Sequence, residues 1–296
     1  MSHNHHDHDH SHGAVASKNI TIVFVLNIFF AALEFVFGVL FNSTAVLSDA
    51  VHDTGDAVAI GLAWFFQKFS LKKEDDAFTL GYQRFSLLGA VITSVILITG
   101  SAIVITESIP RLLHPEPVQA YGMFWLAIFA VIMNGFGAWL LSRGQSRNES
   151  ILNLHMLEDV LGWVGVLIVS IVMHFAKVYW LDPLLSLGIA LFILSKALPK
   201  FVGTIRILLE GTPENVDFEK LLRELEALPT VRAVTQLCIW SIDGEDNAAM
   251  LHIMLPKGAS NVQAKEDVRD VLHKNHVEFS AIEIDTSNEE HLQHSH

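Results

Sequence analysis

The sequence predicts an α-helical membrane protein: six transmembrane helices, then a C-terminal cytosolic αββαβ domain of the ferredoxin-like, open-faced sandwich kind. Three observations carry that prediction. Hydrophobic residues make up 51% of the chain and charged residues only 17%, with a mean hydropathy of +0.40, too apolar for a soluble enzyme. Six apolar stretches each reach the roughly 20 residues needed to span a bilayer. After Leu209 the pattern changes to short helical and alternating periods bounded by turn residues. The domain bounds are then 1–17 for a His-rich arm, 18–210 for the membrane domain, 211–286 for the cytosolic domain and 287–296 for a polar tail.

The arm carries His3, His5, His6, His8, His10 and His12 interleaved with Asn and Asp. Such a tract cannot form a core and is expected to be disordered. An expression tag is one explanation, though tags are usually uninterrupted; a metal-capturing arm suits imidazole and carboxylate at short spacing. The first segments carry no basic and apolar signal-peptide pattern.

The spans fall at 19–41, 44–69, 84–109, 121–142, 150–175 and 181–203. In the first, Asn27 and Glu34 lie seven apart and share a helix face. The second holds Asp49, His52, Asp53 and Asp56. Asn134 is the polar residue of the fourth, and His155 and Asp159 sit in the fifth. Asp182-Pro183 opens the sixth, where Pro costs no hydrogen bond and Asp is expected to cap the first N–H groups.

One set of loops and ends collects Lys18, Lys68, Lys72, Lys73, Arg84, Arg143, Arg147, Lys196, Lys200 and Arg206, and the other only Arg111 and Lys177. The positive-inside rule therefore puts both termini in the cytoplasm. Acidic residues outnumber basic ones by 32 to 19, which argues against nucleic acid as a partner and for cations. The single cysteine, Cys238, excludes an intramolecular disulfide and a thiolate-cluster zinc site.

Gly211-Thr-Pro213 breaks the last long helix. Val216 to Leu228 and Asn261 to Lys274 have helical spacing. Val231 to Ile242, Ala248 to Leu255 and Val277 to Ile284 read as strands, the first two joined at Asp243-Gly-Glu-Asp246, a hairpin signal. Helices on one face of a mixed sheet follow from that order.

Ionisable groups at membrane depth are costly, so matched sets of them mark function. His52 and Asp56 are four apart, as are His155 and Asp159, and residues at that spacing lie one turn apart and about 40° around the axis. Two helices giving two ligands each make a His₂Asp₂ cage, a closed tetrahedral set that Zn²⁺ accepts. Any one of these groups alone could be a hydrogen-bonded core residue; two copies of one spacing argue against that.

These motifs resemble the cation diffusion facilitator family, in particular its bacterial zinc exporters, and are similar to those of animal zinc transporters. The likeness covers nearly the whole chain. It is carried by Leu47-Ser-Asp-Ala-Val-His-Asp-Thr-Gly-Asp56, His155-Met-Leu-Glu-Asp159, Asn27 with Glu34, Phe78-Thr-Leu-Gly-Tyr-Gln-Arg84, Glu107-Ser-Ile-Pro-Arg111, Pro115-Glu-Pro117 and Asp182-Pro-Leu-Leu-Ser186. The resemblance implies a homodimeric metal²⁺/H⁺ antiporter in the bacterial inner membrane, with His52, Asp56, His155 and Asp159 as the transport site for Zn²⁺. Asp49, Asp53, Asn27, Glu34 and Asn134 then support those ligands or line the access path, and Asp53 could equally face a solvated vestibule.

Two departures matter. Where relatives place two loop histidines, this chain has Phe78 and Tyr82, so that loop site is expected to be lost, with Asp75 and Asp76 remaining. In the cytosolic domain Leu237-Cys-Ile-Trp240 replaces Leu-His-Ile-Trp and Thr235 stands where some relatives have histidine. Cys238, His252, Glu283 and Asp285 are candidates for a cytosolic metal site, with a buried small hydrophobe as the other reading of Cys238. Zinc leads among substrates, then cadmium and cobalt, with iron, nickel and manganese behind. Protons compete with metal for the four ligands, because two adjacent carboxylates cannot stay empty and charged in a low dielectric. The rivals from other classes are an intramembrane zinc metallohydrolase, which would need an open water position and a general base, and a non-transporting zinc sensor.

Overall fold

The structure is a computed structural model that describes residues 18–70, 72–142 and 147–285, without the side chains of residues 18–23, 63, 64, 67, 68, 141 and 147–155. The histidines of the N-terminal arm, His3 to His12, and the C-terminal tail lie outside the described residues. Six long helices come first: α1 Lys18–Phe41, α2 Thr44–Ser70, α3 Phe85–Leu113, α4 Ala120–Ser142, α5 Arg147–Ala176 and α6 Leu181–Leu208. Then follow α7 Phe218–Glu226, β1 Ala233–Ser241, β2 Asn247–Met254, α8 Asn261–Lys274 and β3 Phe279–Asp285. The expected order of helices and strands is present.

Two helices run further than the sequence suggests. α3 continues through Pro110 to Leu113, one turn past the expected end. α6 passes Pro199 and ends at Leu208. A proline removes one ladder bond and bends a helix without ending it when the turns on either side are held; His114 N donates to the Pro110 carbonyl at 2.9 Å and closes the extra turn. Five of the six long helices are apolar enough to cross a membrane by length and composition. The 27-residue α2 is long enough, but its Asp49, His52, Asp53 and Asp56 lower its hydropathy below that of a simple span.

The chain divides into two compact units. One comprises residues through Ile60 with Ile96–Ala197; the other comprises Gly61–Val95 with the residues from Leu198 onward. In the first unit, α1 ends in a left-handed turn: Asn42 has φ 55°, Ser43 N donates to Gly38 O at 3.0 Å and Asn42 N to Val39 O at 3.2 Å. Asn is among the few residues that tolerate that conformation at a helix C-terminus. The turn delivers Ser43 as the N-cap of α2, its Oγ accepting from Val46 N at 3.2 Å. Arg111 steadies the same corner by donating to the Asn42 carbonyl at 3.1 Å and side-chain oxygen at 2.9 Å.

The core of this unit joins α1, α2, α4 and α5 through Phe30, Val46, Met123, Ala127, Trp163 and Val166. Phe30 meets Trp163 edge to face with ring centroids 5.6 Å apart, a favoured aromatic geometry. α2 and α3 cross closely because glycines face side chains on both sides. A Cβ on Gly55 would lie 2.3 Å from Leu97, and one on Gly100 2.2 Å from Val51.

In the second unit the C-terminal segment forms a three-stranded sheet of order β1-β2-β3. β1 and β2 pair antiparallel, and β2 and β3 pair parallel across the α8 crossover. One face packs Ile239, Leu251 and Ile253 against Leu221 and Leu225 of α7 and Val268 and Leu272 of α8. Asp217 and Ser260 cap the two helices, each accepting from a backbone N–H. The Asp243 carboxylate holds the hairpin by accepting from Glu245 N and Asp246 N, and Gly244 takes φ 102°.

Candidate metal centre

α2 and α5 bring three of the four predicted groups together, His52, Asp56 and Asp159. His52 and Asp56 lie one turn apart on α2, with Nε2 3.5 Å from Asp56 Oδ2. The same nitrogen is 3.7 Å from Asp159 Oδ1 of α5. With metal–ligand bonds near 2.0–2.1 Å, neighbouring ligands of a tetrahedral zinc ion stand roughly 3.3–3.5 Å apart. The two gaps are therefore close to the edges of such a tetrahedron. Asp159 is 2% exposed and His52 22%, so one ligand is deep and the other reachable. His155 falls on α5, one turn before Asp159; its side chain lies outside the described residues.

A cavity of about 740 Å³ adjoins these groups. Its polar lining is Asp49, His52, Glu158 and Asp159, and its apolar wall runs along α6 from Leu181 to Ile193. Glu158 is a lining residue the sequence reading did not single out, although it directly precedes Asp159. Gly162 removes bulk from α5 where Asp49 approaches: a Cβ there would stand 3.8 Å from Asp49 Oδ1.

Asp49 and Asp53 do not simply flank His52. With Glu34 of α1 they form a group whose ligand-type oxygens all lie within 4.8 Å of one another, every member buried. Asn27 and Asn134, both buried, line a separate small cleft between α1, α4 and Met156 of α5.

Asp182 has a different role from the one expected. Instead of capping its own helix, its carboxylate accepts from Ser43 Oγ, from Thr44 N at 2.8 Å and from Thr44 Oγ1 at 3.0 Å. It thus caps α2, whose first N–H groups and hydroxyls are the unpaired donors nearby. Ser186, one turn further along α6, donates to the Thr44 carbonyl at 3.0 Å and accepts from Ser108 of α3 at 3.0 Å.

In the loop of the second unit, Asp75 accepts from Lys72 Nζ at 2.7 Å and from Tyr82 OH at 2.7 Å. Lys72 also lies 4.3 Å from the Tyr82 ring centroid. The Lys72 ammonium, then the Tyr82 hydroxyl and the Phe78 N–H, hold Asp75 well below the usual carboxylate range. The Lys72 ammonium is thus the cation that Asp75 faces in this loop.

In the C-terminal segment His252 Nδ1 pairs with Asp285 Oδ1 at 3.0 Å and its Nε2 lies 3.7 Å from Glu283 Oε2. Thr235 Oγ1 donates to the other Asp285 oxygen. Cys238 sits further along β1, opposite Met250, and its sulfur accepts from Gln236 Nε2 at 3.4 Å. The structure brings His252, Glu283 and Asp285 together, while Cys238 lies two residues along β1 from Gln236, the residue opposite His252.

Known proteins resemble this chain over most of its length. Residues 20–209 match the model of the cation efflux transmembrane domain. The chain is 32% identical over 282 residues, 93% of its length and 91% of the relative's, to a cadmium, cobalt and zinc/H(+)-K(+) antiporter of Bacillus subtilis. It is 30% identical to the metal cation efflux system protein CzcD of Cupriavidus metallidurans, covering 80% of this chain and 76% of that one. It is 29% identical to the zinc transporter ZitB of Pectobacterium atrosepticum, over 91% and 85%. With the match spanning the six long helices and the His-Asp helices at its centre, the chain belongs to the cation efflux family of membrane transporters, the cation diffusion facilitators.

Proposed function

We propose that the protein exports Zn²⁺ from the cytoplasm in exchange for protons, by alternating access to an intramembrane site made of His52, Asp56, His155 and Asp159. The observation that carries this reading is the convergence of His52 Nε2 on Asp56 and Asp159 at 3.5 and 3.7 Å, separations suited to a shared tetrahedral ion. Two imidazoles favour zinc, and cadmium or cobalt after it, over hard ions that seek oxygen alone. The relatives' names support the same substrates: one transports cadmium, cobalt and zinc against protons and potassium, another zinc.

Energy coupling follows from charge. Two carboxylates balance Zn²⁺ in a low-dielectric surround; once the metal leaves, protons must take its place. Metal and protons compete for the same atoms, so an inward proton gradient drives metal outward when the site faces each side in turn. The cavity along α6 gives the site its path toward the α5–α6 turn. The protein acts as a homodimer in the inner membrane with both termini cytoplasmic, and the uncovered sheet face with Met250 and Phe279 exposed offers a surface for a second copy. The His252, Asp285 and Glu283 group, with Cys238 nearby, is a regulatory metal site in the cytosolic domain.

Reconstituted protein in vesicles tests the transport reading directly. Zinc uptake and the accompanying proton flux are both expected in wild type, and both are lost in His155→Ala and in Asp159→Asn. Unimpaired zinc transport in His155→Ala overturns the site. Zinc binding without any flux in wild type would favour a sensor.

A further inference from the structure

At the end of the first unit that carries the α5–α6 turn, two adjoining hollows lie between the start of α4 and the end of α5. One, of about 300 Å³, is lined by Tyr121, Phe124, Ile171 and Phe175. The other, of about 490 Å³, is lined by Gln119, Lys177 and Tyr179, with buried Met173 among its walls. Ala120, Tyr121 and His174 belong to both. An apolar groove thus opens into a chamber with a cation at its edge, the same division that a phospholipid has along its own length.

The aromatic side chains set the depth. Tyr121, Trp125 and Trp180 are exposed at 67%, 54% and 44%, and Tyr121 meets Trp125 edge to face with ring centroids 6.3 Å apart. Tyr and Trp gather where headgroups meet acyl chains, so the groove lies at acyl depth and the chamber at headgroup depth.

Lys177 is the informative residue. Its φ is 51°, in the left-handed region that suits Gly or Asn at a helix end and strains a lysine. Its N–H closes α5 on the Met173 carbonyl at 3.0 Å. Backbone strain of this kind gathers at ligand clamps. Among the described residues no carboxylate pairs with the Lys177 ammonium: at the same end, Glu116 accepts from Asn42, and Asp182 accepts from Ser43 and Thr44. No acidic side chain lines either hollow, while Tyr179 and His174 add hydrogen-bond donors to the lining.

We propose that this two-part hollow binds one anionic phospholipid, its phosphate in the chamber against Lys177 and one acyl chain in the groove along Phe124 and Ile171. A zwitterionic lipid carries its own cation beside its phosphate; an anionic lipid carries none and gains more from the lysine. The inference does not depend on which metal the protein carries.

Photolabelling of the full-length protein tests it, in phosphatidylcholine vesicles holding a trace of phosphatidylglycerol or phosphatidylcholine with a diazirine on one acyl chain. Mass spectrometry maps the labelled residues. Over residues 120–124 and 171–175, phosphatidylglycerol is expected to label the wild type about fivefold more than phosphatidylcholine, the ratio that one lysine beside an anionic headgroup supplies. Lys177→Gly, which suits the left-handed turn and so keeps the fold, should bring the two lipids to parity there. Lys177→Arg should keep the preference. Ile171→Trp, which fills the groove from an exposed position, should lower labelling by both lipids. Parity in wild type, an undiminished preference in Lys177→Gly, or full labelling in Ile171→Trp would each overturn the proposal. So would displacement of the lipid by glycerol 3-phosphate, which would make the chamber a site for free phosphate.

Discussion

His52 is the residue on which the transport reading turns, because a single nitrogen faces carboxylates on two helices. Its pairing with Asp56 was readable from a four-residue spacing, since helix geometry alone fixes that relation. Its approach to Asp159 depends on how α5 packs, and only the repeat of the motif hinted at it. Asp182 shows the opposite case. A carboxylate at a helix start normally serves that helix, and nothing in the sequence says that Ser43 and Thr44, some 138 residues earlier, are its partners. Removing it in Asp182→Ala leaves buried donors unsatisfied, which costs about 1–3 kcal/mol for such groups. Thermal unfolding of the detergent-solubilised protein should show a clear drop in midpoint, and Asp182→Asn, which keeps an acceptor, a smaller one. Equal midpoints for all three would show that the carboxylate is not the cap it looks to be.

At the scale of helices, the extents of the long segments were legible within about a turn, because uninterrupted apolar runs leave little freedom. The exceptions were two C-terminal ends: α3 passes through Pro110, where local preference yields to the rest of the ladder, and α6 runs five residues beyond 203 to Leu208. α2 is the least apolar long helix, and its position depends on close contact with α3 at Gly55 and Gly100. Gly100→Val would overlap Val51, one residue before His52, and overpacking of this kind costs about 1–3 kcal/mol. The expected outcome is weaker zinc binding by calorimetry with helical circular dichroism retained. Unchanged zinc affinity would show that α2 can shift without disturbing His52. The grouping of Glu34 with Asp49 and Asp53 was not legible, since it needs the α1–α2 turn, set by Asn42 in a left-handed conformation, to be known first.

For the whole molecule, the distribution of lysine and arginine predicts one topology. Because Cys238 is the single cysteine, a Cys238→Ser background allows single-site labelling of intact cells. A membrane-impermeant maleimide applied outside should modify Lys177→Cys and spare Lys73→Cys; the reverse pattern would invert the proposed orientation and with it the direction of export. The order of α7, β1, β2, α8 and β3 was readable from period changes and turn residues. The Lys72–Asp75–Tyr82 contact, by contrast, joins residues that the sequence gives separate meanings, Lys72 as a loop charge, Asp75 as a leftover carboxylate and Tyr82 as a departure from a family pattern.

The bonds joining α2, α3 and α6 also bear on mechanics. Asp182 holds Ser43 and Thr44, while Ser186 links Thr44 to Ser108. These five hydrogen bonds fasten the starts of α2 and α6 and the far end of α3 into one block, at about 0.5–1.5 kcal/mol each. Any motion that moves the start of α2 therefore carries the start of α6 with it, or first has to break these bonds.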